Sequence, residues 1–140
     1  MNSNVSVVIP YYNAAQTLLR ALESISKQTR QALEIIIVND GSNFDELKII
    51  VDEWGGVAKV VDLNGNYGAA YARNVGVSES VGKFVAFLDS DDIWHPDKLE
   101  LQEELMIRTN AFFSCHGYVF DLKKNKFNSC SKGIKKYLFV

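Results

Sequence analysis

Four short runs of β-branched and apolar residues punctuate the first two thirds of the chain: Val5 to Pro10, Glu34 to Asn39, Val57 to Leu63 and Lys83 to Leu88. They barely alternate with polar residues, the pattern of strands buried on both faces rather than half-exposed ones. Segments of helical period separate them. Asn13 with Gln16 three residues on offers a helix cap ahead of Leu18, Leu22 and Ile25; Ser42 with Asp45 offers another ahead of Leu47, Ile50, Val51 and Trp54. A third helix is expected over 68–79, where Ala69, Ala70, Ala72 and Gly76 would let it approach its neighbours closely. A fourth is expected to start at Pro96 and carry Leu99, Leu105 and Met106. Strand alternating with helix predicts a Rossmann-like, mainly parallel α/β sheet flanked by helices, with right-handed crossovers. Phe112 to Cys130 reads as two further strands around the polar turn DLKKNK.

In open α/β sheets ligands bind beyond the carboxyl ends of the strands. Tyr11, Tyr12 and Asn13 follow the first run, Asp40, Gly41 and Ser42 the second, and Asp89, Asp91 and Asp92 the fourth. The three carboxylates change the picture most. Unit charges ~5 Å apart repel by under ~1 kcal/mol in bulk water but by ~3 kcal/mol at an effective dielectric of ~20. At a half-buried strand end they call for a counter-ion, and oxygen donors without nearby His or Cys suit Mg²⁺ or Mn²⁺. A solvated acidic turn ahead of the next helix is the competing reading. With an aromatic face and a lone carboxylate at the other strand ends, the set can hold a base, a ribose and a metal-bound pyrophosphate. It is a nucleotide site without a phosphate-binding glycine loop.

Composition narrows the class. The 140 residues, 47% hydrophobic and 23% charged, suit a single domain spanning residues 1–140. No apolar run is long enough to cross a bilayer and MNSN lacks a basic n-region, so a cytoplasmic chain is expected. Cys115 and Cys130 do not make a zinc spacing and read as small, mostly buried thiols. Lys123, Lys124, Lys126, Lys132, Lys135 and Lys136 crowd the C-terminal stretch against Asp121 as its one acid. A solvated face is their ordinary reading. The sharper one is peripheral contact with anionic lipid, at the inner face of a membrane, or with a phosphate-bearing acceptor. Nucleic acid is not expected, since no basic-aromatic platform accompanies the lysines.

The stretches VSVVIPYYN, IIIVNDGS, NYGAAYARNVG and FVAFLDSDDIWHPDKL resemble, in order and spacing, the N-terminal half of the family 2 glycosyltransferases with the GT-A fold. The resemblance covers roughly Asn4 to Leu105 and extends more weakly over Phe112 to Cys130. It implies transfer of a sugar from a nucleotide donor, most often a UDP sugar, to a saccharide or lipid-linked acceptor of polysaccharide assembly, with inversion at the anomeric carbon. It also implies a nucleotide site of Pro10, Tyr12, Asn13, Asp40, Arg73 and Asp91, in which Tyr12 stacks on the base and Asp40 accepts its ring N–H. A carboxylate there favours uracil, thymine or guanine, which carry a ring imino donor. Arg73 would reach the base or phosphate side. In the DXD region, Asp91 would bind ribose or metal, Asp92 or Asp91 would ligate the Mg²⁺ or Mn²⁺ bridging the diphosphate, and Asp89 would stand behind them at the strand end.

The family's general base, an Asp or Glu, lies well beyond the donor half, and nothing after Leu122 in this chain is acidic. The base is therefore expected beyond Val140, and a nucleotide-binding fragment without catalysis is the competing expectation. Asp121 is a poor substitute, being placed in a turn. A haloacid-dehalogenase-type phosphatase would open its fold with D-x-D, whereas three strands precede it here. A receiver domain needs an acidic pair where Tyr11 and Tyr12 stand. A dinucleotide dehydrogenase needs a glycine fingerprint where the sequence reads YYNAAQ.

Overall fold

The structure, a computed structural model, describes residues 3–56 and 58–116. The chain divides into a unit over Met1–Glu103, which holds the sheet, and a second over Glu104–Val140. Eight elements run in strict alternation among the described residues: β1 Val5–Tyr11, α1 Ala15–Ser26, β2 Glu34–Asn39, α2 Phe44–Trp54, β3 Ala58–Asp62, α3 Ala69–Ser78, β4 Phe84–Phe87 and α4 Lys98–Thr109. All strand pairs are parallel, in the order β3-β2-β1-β4. This is the parallel α/β architecture expected from the alternation.

The order explains the burial. β1 is buried along its whole length and β2 from Ile35 onward, while β3 and β4 flank them and are mostly half-buried. Continuous apolar character therefore signals full burial only for the central pair. On one face Val7, Ile9, Tyr11, Ile35 and Ile37 pack with Leu18, Leu22 and Ile25 of α1 and Leu47 and Val51 of α2. On the other, Val8, Ile36 and Val38 meet Ala72 of α3. Strand period two sends alternate residues to the two layers. Gly76 is what lets α3 sit this close, since a Cβ there would lie 2.2 Å from a Val8 methyl. Of the four small residues expected to ease the approach, Ala72 and Gly76 are buried, and Ala69 and Ala70 face outward.

Several local expectations are corrected. Asn13 does not cap α1: the cap is Ala14 with no side-chain bond, and Asn13 takes a left-handed φ of 47°. The cap of α2 is Asn43, whose side chain accepts the Glu46 N–H at 3.1 Å, rather than Ser42. Ser42 is one residue too early because its Oγ already accepts the Asn13 N–H at 2.8 Å. Pro96 lies in the turn before α4, which starts at Lys98. Cys115 is exposed, not buried. Residues 112–116 form no strand, and the rest of the expected strand pair, Cys130, Asp121 and the C-terminal lysines lie outside the described residues. No helix among the described residues is long and apolar enough to cross a membrane.

Candidate donor site

The chain builds outward from β1 in one direction, to β2 and β3, and then returns to place β4 on the other side of β1. That reversal leaves the carboxyl ends of β1 and β4 side by side, with a crevice beyond them. Tyr12 follows one strand and Asp89 closely follows the other. A cavity of about 370 Å³ occupies the place, lined by Pro10, Tyr11, Tyr12, Asp40, Asn66, Gly68, Ala69, Arg73, Asp89, Ser90 and Asp91.

Tyr11 is the last residue of the buried β1 and Tyr12 stands just past it: Tyr11 is buried in the core and Tyr12 is 52% exposed, leaving a ring face open to a ligand. Burial raises the Tyr11 phenol pKa, and the charge of Glu46 adds to the rise. Asp40 enters beside Tyr12 because its N–H donates to the Tyr11 carbonyl at 2.8 Å, extending the β1–β2 ladder. The turn that follows is locked from within. Asn39 Oδ1 accepts the Ser42 N–H at 3.0 Å, and its Nδ2 donates to the Ser42 carbonyl and to Asp62, both at 3.0 Å. Gly41 is required by its φ of 83° and because a Cβ would come within 2.8 Å of the backbone at Gly65 and Asn66.

Asp40 is buried, and its two carboxylate oxygens accept the N–H groups of Tyr67 at 2.7 Å and Gly68 at 2.9 Å. It thereby tethers the loop that leads into α3, where Gly68 is the cap residue. Each oxygen keeps a second lone pair, so holding this loop does not consume the carboxylate's capacity to accept from a ligand. Arg73, one turn into α3, donates to Asp89 Oδ1 at 2.5 Å.

The acid segment is a turn in which the Asp92 N–H donates to the Asp89 carbonyl at 3.0 Å. Asp91 and Asp92 are both exposed on it. The Asp92 carboxyl pKa is raised, first by partial burial and then by the charges of Asp91 and Asp89. Among the described residues no three His, Cys, Asp or Glu side chains converge into a ready cation cage. The donor set nevertheless fits a divalent ion of the kind held by one or two carboxylates together with substrate phosphates, for which a complete protein cage is not needed.

The sequence-predicted residues thus gather in one place with two exceptions. Asp92 lies beside the cavity rather than in its lining, and Asn13 lines a separate cavity of about 510 Å³ with Tyr11, Ala14, Ala15, Gln16, Thr17 and Glu46. Asn66, Gly68, Ala69 and Ser90 were missed as lining residues. The first three belong to the NYGAA stretch, whose glycine just before a helix pattern could have marked a turn of positive φ, as Gly68 has at 90°. Asn39, a strand-end asparagine, left no such signal.

Comparison with known proteins places these features. The family model described as Glycosyl transferase family 2 matches residues 6–138. An Escherichia coli protein, UDP-Glc:alpha-D-GlcNAc-diphosphoundecaprenol beta-1,3-glucosyltransferase WfgD, is 38% identical over 116 residues, 81% of this chain and 45% of its own length. The crystal structure of S. aureus TarS 1-349 in complex with UDP-GlcNAc superposes with a TM-score of 0.68 at 29% identity, covering 79% of this chain and 32% of that one. The crystal structure of GalNAc-T7 with UDP, GalNAc and Mn²⁺ superposes with a TM-score of 0.54 at 33% identity, covering 61% of this chain and 18% of that one. The chain spans less than half the length of WfgD and 17% to 21% of three longer relatives.

Proposed function

The chain belongs to glycosyl transferase family 2, and from that premise we propose that it forms the donor-binding part of an inverting, metal-assisted glycosyltransferase. Its donor is a nucleotide-diphosphate sugar, with UDP as the nucleotide. Its acceptor is a saccharide or lipid-linked sugar of cell-surface polysaccharide synthesis, met at the cytoplasmic face of the membrane. The observation that carries this reading is the cavity at the β1–β4 crevice, in which Tyr12, Asp40, Arg73, Asp89 and Asp91 meet. The substrates named for WfgD and the UDP-GlcNAc bound to TarS support the choice of donor and acceptor class.

Each residue has a defined task. The open ring of Tyr12 stacks on the base, with Pro10 behind it in the same wall. Asp40 uses its remaining lone pairs to accept the ring imino N–H, which selects uracil over cytosine. Arg73 faces the phosphate side with a fixed cationic fork. Asp91, with Asp92, would hold Mn²⁺ or Mg²⁺ against the diphosphate. When bound, that ion neutralises the leaving diphosphate, a contribution of several kcal/mol to the transition state. The Mn²⁺ in the GalNAc-T7 structure supports a divalent ion at this kind of site.

Calorimetric titration with UDP, GDP and dTDP, each with Mn²⁺ and with chelator, tests the reading. UDP is expected to bind weakly in chelator and more tightly with Mn²⁺. Equal affinity in the two conditions would remove the metal bridge, and no binding of any nucleotide would overturn the donor site. Hydrolysis of the bound donor would then report whether this chain carries chemistry by itself.

A further inference from the structure

The DXD segment carries three carboxylates, yet the structure does not treat them alike. Asp89 directly follows the buried Leu88 at the end of β4, and its side chain turns toward α3 to pair with Arg73. Asp91 and Asp92 follow in the same 89–92 turn and are exposed, as Asp89 is, but the ion pair with Arg73 falls to Asp89. We infer that Asp89 is a positioning residue for Arg73, holding the guanidinium in the donor cavity, while Asp91 and Asp92 are left as the pair that meets the cation.

Two observations carry this. Arg73 and Asp89 both line the cavity, so the pair sits inside the site and not on a remote face. The two ends of the pair are rooted in elements that cannot drift apart: α3 is seated on β1 through Gly76, and β4 is hydrogen-bonded to β1 through Leu88.

The physical benefit is preorganisation. A free arginine has many rotamers to lose when it closes on a phosphate, and one already held by a rigid carboxylate loses few. The second edge of the guanidinium stays available, because its five donors exceed what one carboxylate oxygen takes.

This inference rests on the donor-site reading, and the test separates the two. Without ligand, the Arg73 guanidinium N–H signals, assigned by their loss in Arg73→Lys, are expected to shift in Asp89→Asn and to hold in Asp91→Asn. In UDP titrations, Asp89→Asn is expected to weaken binding about tenfold, equally with Mn²⁺ and with chelator. Arg73→Gln should do the same, and the double variant should lose little more than either. Asp91→Asn should lose only the metal-dependent part. If Asp89→Asn instead removes the metal-dependent part alone, Asp89 is a cation ligand and the inference fails. If its guanidinium signals do not move, the pair is absent in solution and the inference fails as well. If the signals move but the unaltered protein binds no UDP, the donor reading has failed and the ion pair is structural. Asp89 is half exposed, so its replacement by the isosteric Asn is compatible with folding, which thermal unfolding would verify.

Discussion

Individual residues at this site answer to two demands at once, and Asp40 shows it best. Sequence reasoning saw a base acceptor or a turn residue, and the structure adds a tether for the Tyr67–Gly68 backbone. An amide in its place would set an N–H donor against one of those backbone donors. Asp40→Asn is therefore expected to destabilise the fold by about 1–3 kcal/mol, read by urea denaturation, and to weaken UDP binding in parallel. Loss of binding with unchanged stability would mean that the tether contributes nothing. Asp92 makes a pH prediction. Its carboxyl pKa lies above 3.8, so on acidification a proton occupies it earlier than an ordinary aspartate. The Mn²⁺-dependent part of UDP affinity should thus begin to fall at a higher pH than ordinary carboxylates dictate. In Asp91→Asn the Asp92 carboxyl carbon should titrate closer to 3.8 by NMR.

At the scale of elements, close approach of α3 to the sheet is what brings Arg73 to the crevice. Gly76→Val would drive a side chain into Val8, and overpacking of this kind costs about 1–3 kcal/mol. The expected outcome is a lower denaturation midpoint together with weaker UDP binding, because α3 moves as a unit. A second prediction belongs to the start of α4. Lys98 is buried with its Nζ 3.5 Å from the centre of the Trp94 ring, and burial lowers its pKa to about 7. Between about pH 7 and its ordinary value of 10.5 the unfolded chain binds more protons at this group than the folded one. Stability of the wild type relative to Lys98→Met should therefore rise with pH across that window, by at most about 1.4 kcal/mol per pH unit. Parallel curves for the two proteins would show that the lysine reaches water when charged.

For the whole molecule, a ligand that binds only the folded state raises the unfolding free energy by an amount set by its concentration over its dissociation constant, about 2.7 kcal/mol at a hundredfold excess. UDP with Mn²⁺ should raise the melting temperature, UDP with chelator less, and GDP or dTDP least. An order led by GDP would reassign the base. This ranking tests the site without requiring transfer.

Much of the fold was legible because burial and periodicity are local properties of the chain. The four strands and four helices follow from apolar runs and helical period, and β2 was placed residue for residue. Caps were less legible. Asn13, Ser42 and Asn43 are all capable side chains, and which one serves depends on a bond between the ends of β1 and β2, residues far apart in sequence. The same division holds at the site. Sequence determined that aromatic, acidic and basic groups stand just beyond strand ends, since these residues follow apolar runs directly. Only the tertiary structure decided their partners: that β4 returns beside β1 to bring Tyr12 near Asp89, that Asp40 spends lone pairs on the α3 loop, and that one of three adjacent carboxylates turns to Arg73. The reason is physical. Strand order and helix seating arise from long-range packing, and a carboxylate's neighbour is set by which elements that packing brings within hydrogen-bond reach.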